Sequence, residues 1–308
     1  MTHSGSPPAE LVLSIELVTQ LLAAQAPALA TRPVRSLAQG WDNHSFRVGE
    51  DHIARLPRRA LAAALMRNEQ HALPLLAPRL PVPVPAPSVM GEPHGDYPWP
   101  WSVVPWIEGQ PAAIEPLSRE GSLELATFWA RLHSIPADLL GDALAPNPVR
   151  GCALADREAA FNERAELLAR AGEPLSEALT SIWRRGLAAP RATANVILQG
   201  DPHARNILTH DGHLAAVIDW GDVTIGDAAG DLGSLWMLVH DDHDRAEALT
   251  LYQQEASHGD VLPERFGSLV SRARAWALHY GVILRQTGLA DEPLHADMGR
   301  QTLANLAA

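Results

Sequence analysis

Three polar residues lie close enough along the chain to serve one reaction: Asp201, Asn206 and Asp219. Between the last two run Ile207-Leu208, a turn signal at Asp211-Gly212, and the apolar stretch Leu214 to Ile218, which together read as a β-hairpin with a two-residue turn. Folding at that turn brings Asn206 and Asp219 back to one open end. An amide oxygen and a carboxylate so placed suit magnesium, which prefers hard oxygen ligands and takes its other positions from phosphates and water. Asp201, just upstream, is placed to act as a general base. The chemistry these types and spacings fit is phosphoryl transfer.

The same parts in the same order form the kinase template: a catalytic-loop Asp, an Asn after four residues, then an Asp opening a D-x-G turn. Here the turn is Asp219-Trp220-Gly221, followed closely by Gly226-Asp227 and Asp231-Leu232. No room remains for a peptide-holding activation segment, and Gln199-Gly200-Asp201 replaces the H-R-D triplet. The succession resembles the aminoglycoside phosphotransferase family, small-molecule kinases of the protein-kinase-like fold. The resemblance is close from residue 196 to 240 and weaker from about 30 to 135. It implies an α+β, bilobal protein-kinase-like fold: an N-terminal lobe (1–108) with an antiparallel sheet and helices, and a mainly helical C-terminal lobe (109–308) carrying the catalytic hairpin. The resemblance also implies ATP or GTP as phosphoryl donor, Mg2+ on Asn206 and Asp219, and a small-molecule hydroxyl acceptor.

No lysine occurs, so all 24 basic residues are arginine. The lysine that kinases place on the third strand must be replaced, and His52-Ile-Ala-Arg55-Leu-Pro57 offers Arg55 there. A guanidinium donates in a planar fork and stays charged, which suits bidentate phosphate contact. The resemblance places Glu69, on a helix read from Ala60 to Leu76, as the carboxylate that holds this cation. It makes the turn after Gln39 the loop over the phosphates; with only Gly40 there, the Asn43 and Ser45 side chains would supplement the backbone. Tyr97 to Gly109 becomes the last strand of the first lobe and the hinge, with the Pro105 carbonyl and the Ile107 amide as adenine contacts. Proline lacks the N–H but keeps its carbonyl. His203, two residues after Asp201, stands where protein kinases use a lysine near the transferred group. It could donate to a γ-phosphate oxygen or make a structural hydrogen bond.

The remaining elements frame these residues. Residues 1–7 read as a disordered lead and Pro8 to Ala28 as a helix with Leu11, Ile15, Val18, Leu21 and Leu22 on one face. Beyond Gly109 helices are expected at Leu123 to Leu132, Asp156 to Ala171, Pro174 to Leu187, Arg245 to Ser257, Pro263 to Gln286 and the C-terminal end. Asp227 is expected to cap a helix, Asp231 to anchor the loop internally, and His133 to pack rather than react. The run His240-Asp-Asp-His243-Asp244 reads as a solvated charge cluster rather than a metal site.

Length and composition exclude other classes. A chain of 308 residues exceeds a usual single core. One cysteine, Cys152, rules out an internal disulfide and a Cys-rich zinc site. No apolar run is long enough to span a bilayer and no export signal precedes the fold, so a soluble, cytoplasmic protein is expected. No basic patch suggests nucleic acid. Residues 1–108 hold nine acids and eight arginines, net −1, and the rest 27 acids and 16 arginines, net −11. This asymmetry favours a cationic acceptor, such as an aminoglycoside or amino sugar, unless it merely solubilises the surface. Macrolides, sugars and amino alcohols are alternative acceptors, since one fold serves many substrates. A nucleotide-binding module without turnover is the alternative from another class, and a monomer or a homodimer would suit either.

Overall fold

The computed structural model describes residues 8–145, 147, 149–258, 265–291 and 293–308. The expected lead at residues 1–7 and the expected helix start at Pro263 lie outside the described residues. The chain opens with α1 (Ile15–Gln25), then β1 (Val34–Gln39), β2 (Asn43–Val48), β3 (His52–Pro57), α2 (Ala60–Leu76), β4 (Val89–Gly91) and β5 (Trp101–Pro105). These strands form one antiparallel sheet in the order β1-β2-β3-β5-β4. Helix α1 is shorter than its apolar stripe suggests. Ser14 caps it, accepting from the Leu17 N–H at 3.2 Å, and the backbone leaves the helix at Ala26, just before Pro27.

Alternation along the strands sorts the sheet into two faces. Phe46, Val48, Ala54 and Leu56 pack with Val18, Leu21 and Leu22 of α1 and with Tyr97 and Trp101 in one apolar cluster. Register pairs Ser45 with Arg55 and Arg47 with Ile53, so these point to the opposite face. Burying each large apolar side chain stabilises by about 2 kcal/mol, which fixes which face is left for polar groups.

The rest of the chain is mainly helical. It begins with β6 (Gln110–Pro111) and α3 (Arg119–His133), then α4 (Glu158–Arg170), α5 (Glu177–Ala188), β7 (Val196–Leu198), β8 (Ile207–His210), β9 (His213–Val217) and β10 (Thr224–Gly226). Helices α6 (Ala229–Leu232), α7 (Ser234–Leu238), α8 (Asp242–His258), α9 (Phe266–Asp291) and α10 (Pro293–Ala307) complete it. Strands β8 and β9 pair as the expected hairpin, and Asp211 (φ 50°) and Gly212 (φ 78°) supply the positive φ that its two-residue turn requires. Strand β7 pairs with β10. The loop leaving β7 and the turn entering β10 therefore emerge side by side. Asp227 does not cap a helix in the simple way expected: Ala228 is the N-cap, and Asp227 accepts from the Ala229 N–H at 3.0 Å while Arg272 grips its carboxylate.

Within the helical core His279 of α9 is 1% exposed, among Phe161, Trp183 and Trp276. Its Nδ1 has no hydrogen-bond partner among the described residues. Burial first, and the Arg157 charge second, lower its pKa to about 3. The folded protein holds the neutral ring, whereas the unfolded chain takes up a proton near the ordinary value of about 6.5. Stability is therefore lost as pH falls from about 6.5 towards about 3. We expect His279→Phe to abolish about 2 kcal/mol of the stability difference between about pH 7 and about pH 5, measured by urea denaturation at both values.

Candidate active site

The loop between β7 and β8 starts with Gln199, which is fully buried and uses every side-chain polar atom. Its Nε2 donates to the carbonyls of Asp219 (2.7 Å) and Ile218 (3.2 Å), and its Oε1 accepts from the Asp201 N–H at 2.8 Å. Beneath it the buried Asp231 carboxylate accepts from the N–H groups of Gln199 (2.7 Å) and Gly200 (3.0 Å). Asp231 is thus an internal anchor. His133, 3.5 Å from it and hydrogen-bonded to Tyr252, packs in the core. Gly200 is required: its φ is 92°, and a Cβ there would lie 2.3 Å from the Asp222 carbonyl oxygen.

Asn206 donates from Nδ2 to the Asp201 carbonyl at 2.9 Å, which leaves its amide oxygen as the free ligand atom. The Ile218 N–H donates to the Asn206 carbonyl at 2.8 Å and closes the open end of the hairpin, so Asn206 and Asp219 are neighbours. Asp219 adopts φ 57°, uncommon for a non-glycine residue, and half of its side chain remains exposed. This donor set suits magnesium: one amide oxygen and one carboxylate, both hard, with an exposed side left for phosphate and water.

Arg55 reaches into the same place from β3. It pairs with the buried Glu69 of α2 through Nη1 and with Asp219 Oδ1 through Nη2 at 2.9 Å. Burial opposes its charge, but Glu69 and then Asp219 outweigh it and raise its pKa. Burial also pushes the Glu69 carboxyl up, against the pull of Arg55. Ser45 lies opposite Arg55 on the same sheet face. Gly40 contributes shape rather than a donor, since its N–H goes to the Asn43 carbonyl at 2.8 Å and its carbonyl accepts from Arg58. Asn43 Oδ1 is buried with no partner among the described residues.

At the end of β5 the Trp106 N–H donates to the Asp51 carbonyl, whereas the Val103 carbonyl accepts from the Ser88 N–H. Alternation then turns the Pro105 carbonyl away from β3. Arg47 stacks on the Trp106 ring with its guanidinium carbon 3.6 Å from the ring centre.

Asp201 itself is crowded by cations. Its Oδ1 accepts from Arg150 Nη2 at 2.6 Å and its Oδ2 lies 3.3 Å from His203 Nε2. Burial would raise its pKa, yet Arg150 first and His203 next hold the carboxyl well below the usual range. Arg150 also faces Asp222 Oδ2 at 3.6 Å and the Tyr280 ring at 5.3 Å. Sequence reasoning missed Arg150, Asp222 and Tyr280. Asp222 abuts the Asp219-Trp220-Gly221 turn and could have been found there. Arg150, 51 residues before Asp201 in an irregular loop, carries no sequence signal.

Breaking the Arg55–Glu69 pair leaves a largely buried cation with Asp219 alone. Glu69→Ala is expected to cost about 3 kcal/mol of unfolding free energy, read from the urea midpoint.

The chain matches the family model described as "Phosphotransferase enzyme family" over residues 33–265. No curated protein matches it in sequence. Among solved structures it resembles the GDP complex of wild-type aminoglycoside 2'-phosphotransferase-IIIa, with a TM-score of 0.67 and 19% identity over 96% of this chain and 99% of that one. It also resembles macrolide 2'-phosphotransferase MphH from Brachybacterium faecium, with a TM-score of 0.61 and 21% identity over 94% and 98% of the two chains. A third is the streptomycin–ATP ternary complex of APH(2")-IIa, with a TM-score of 0.59 and 19% identity over 95% and 99%. With a family model covering most of its length and a site of matching parts, this chain belongs to the phosphotransferase enzyme family.

Proposed function

We propose that this enzyme transfers the γ-phosphate of ATP or GTP to a hydroxyl of a small molecule, with residues 1–108 as a nucleotide-binding lobe and 109–308 as a catalytic and acceptor-binding lobe. One observation carries the reading. Asp201, Asn206 and Asp219 gather at adjoining loop ends, and Arg55 reaches Asp219 from the sheet. Arg55, held by Glu69, contacts the phosphates, and the Gly40 turn with Asn43 and Ser45 covers them. The Pro105 carbonyl and the Ile107 amide receive the base. Asn206 and Asp219 hold Mg2+, which when bound neutralises charge on the phosphates.

Asp201 accepts and orients the acceptor hydroxyl and takes its proton late, since the transition state is loose and positioning supplies most of the rate. His203, beside Asp201, donates to the transferred group. Among the described residues no helix is long and apolar enough to cross a membrane, and a nucleotide donor fits a cytoplasmic setting.

The acidity of residues 109–308 supports a cationic acceptor such as an aminoglycoside or amino sugar. The test is magnesium-dependent release of ADP and GDP across aminoglycosides, macrolides, amino sugars and simple sugars. Acceptor-stimulated release is expected, reduced about a hundredfold to ten-thousandfold by Asp201→Asn with nucleotide affinity retained. Release that ignores both the acceptor and the substitution would sink the reading.

A further inference from the structure

The turn between β1 and β2, residues 40–42, is fastened to the end of β3 by Arg58 and Arg59. The Arg58 N–H donates to the Asp42 carbonyl at 2.9 Å, and its Nη1 donates to the Gly40 carbonyl at 2.7 Å. Arg59 holds Asp42 Oδ1 from Nε at 3.1 Å and from Nη2. The Gly40 N–H closes the hairpin onto the Asn43 carbonyl. Among the described residues no backbone hydrogen bond takes the Trp41 N–H.

The two faces of the sheet give this fastening a direction. Arg55 and its cross-strand partner Ser45 share one face. Leu56 and Phe46 lie on the other, packed with α1. Alternation sends Arg58 to the same face as Leu56. His44, the partner of Leu56, shows the same direction: its ring stacks on Phe46 at 4.1 Å, and burial first and the Arg58 charge second lower its pKa. The Gly40 carbonyl is therefore drawn towards the α1 face. In a trans peptide the carbonyl and the following N–H point in opposite directions. The Trp41 N–H is thus turned towards the face that carries Ser45 and Arg55.

We propose that Arg58 is a positioning residue for the nucleotide phosphates, turning the Gly40–Trp41 peptide so that the Trp41 amide joins Ser45 and Arg55 as a donor to phosphate oxygens. Phosphate-cradling loops commonly use several glycines, whose freedom in φ lets successive N–H groups converge on an anion. This turn has only Gly40. Arg58 on one side and the Arg59–Asp42 pair on the other fix the peptide by hydrogen bonds instead. The bond from a cation to the Gly40 carbonyl also polarises the N–H at the far end of the same peptide. The role rests on the nucleotide-binding reading of residues 1–108.

The direct test leaves the arginine untouched. In wild type carrying isotope-labelled tryptophan, the Trp41 backbone amide, assigned through Trp41→Phe, is followed by NMR. It is expected to move with Mg-ATP and with Mg-tripolyphosphate and to stay in place with adenosine. A Trp41 amide that ignores both phosphate ligands, while calorimetry shows them bound, overturns this proposal alone. Wild type that binds neither of them overturns the nucleotide reading and this proposal with it.

The second test is calorimetry on Arg58→Met, which keeps an apolar stem and loses the donors. Mg-ATP and Mg-tripolyphosphate should both bind about tenfold more weakly than to wild type, with adenosine unaffected and the Trp41 response to Mg-ATP lost. Unchanged affinity for both phosphate ligands overturns the proposal, and so does an equal loss for adenosine, which marks general damage to the fold.

Discussion

One buried carboxylate sets the geometry of the site. Asp231 is fully enclosed and accepts from the backbone of Gln199 and Gly200, and the Gln199 side chain then ties that backbone to the carbonyls of Ile218 and Asp219. A carboxylate buried without such donors would be unfavourable, so Asp231 and the loop above it specify each other. Through this link Asp201 and Asn206, on the loop after β7, and Asp219, at the hairpin end, hold a fixed separation. The left-handed conformations of Gly200 and Asp219 persist because both segments are pinned.

The second constraint is the absence of lysine. An ammonium offers a single point charge, whereas the Arg55 fork meets Glu69 with one nitrogen and Asp219 with another. This joins helix α2, the sheet and the hairpin end through one side chain. Arg150 does the same for Asp201 and Asp222. Arg55 and Arg150 are thus each held between a pair of carboxylates, which fixes their positions more firmly than a single ion pair would.

Much of this was legible in the sequence because local rules governed it. The Asp211-Gly212 turn demanded positive φ and returned it, and α2 occupies the span its apolar spacing predicts. The α1 boundary was missed because the Ser14 cap and the break before Pro27 outweighed a longer apolar stripe. Arg150 was illegible because an irregular loop carries no period, and its partners lie 51 and 72 residues away. Chain-wide acidity pointed to a cationic acceptor, yet a sum of charges cannot reveal that the carboxylates beside Asp201 bring their own arginine. Long-range pairing decides local electrostatics.

The metal seat proposed for Asn206 and Asp219 at the hairpin end is the element on which the proposed phosphoryl transfer most depends. Calorimetric titration of ATP with and without magnesium, into wild type and Asp219→Asn, tests it most directly. Tighter binding with magnesium in wild type, with that gain lost in the variant, is the expected result. Binding that is indifferent to magnesium, or a gain that survives in Asp219→Asn, would contradict it.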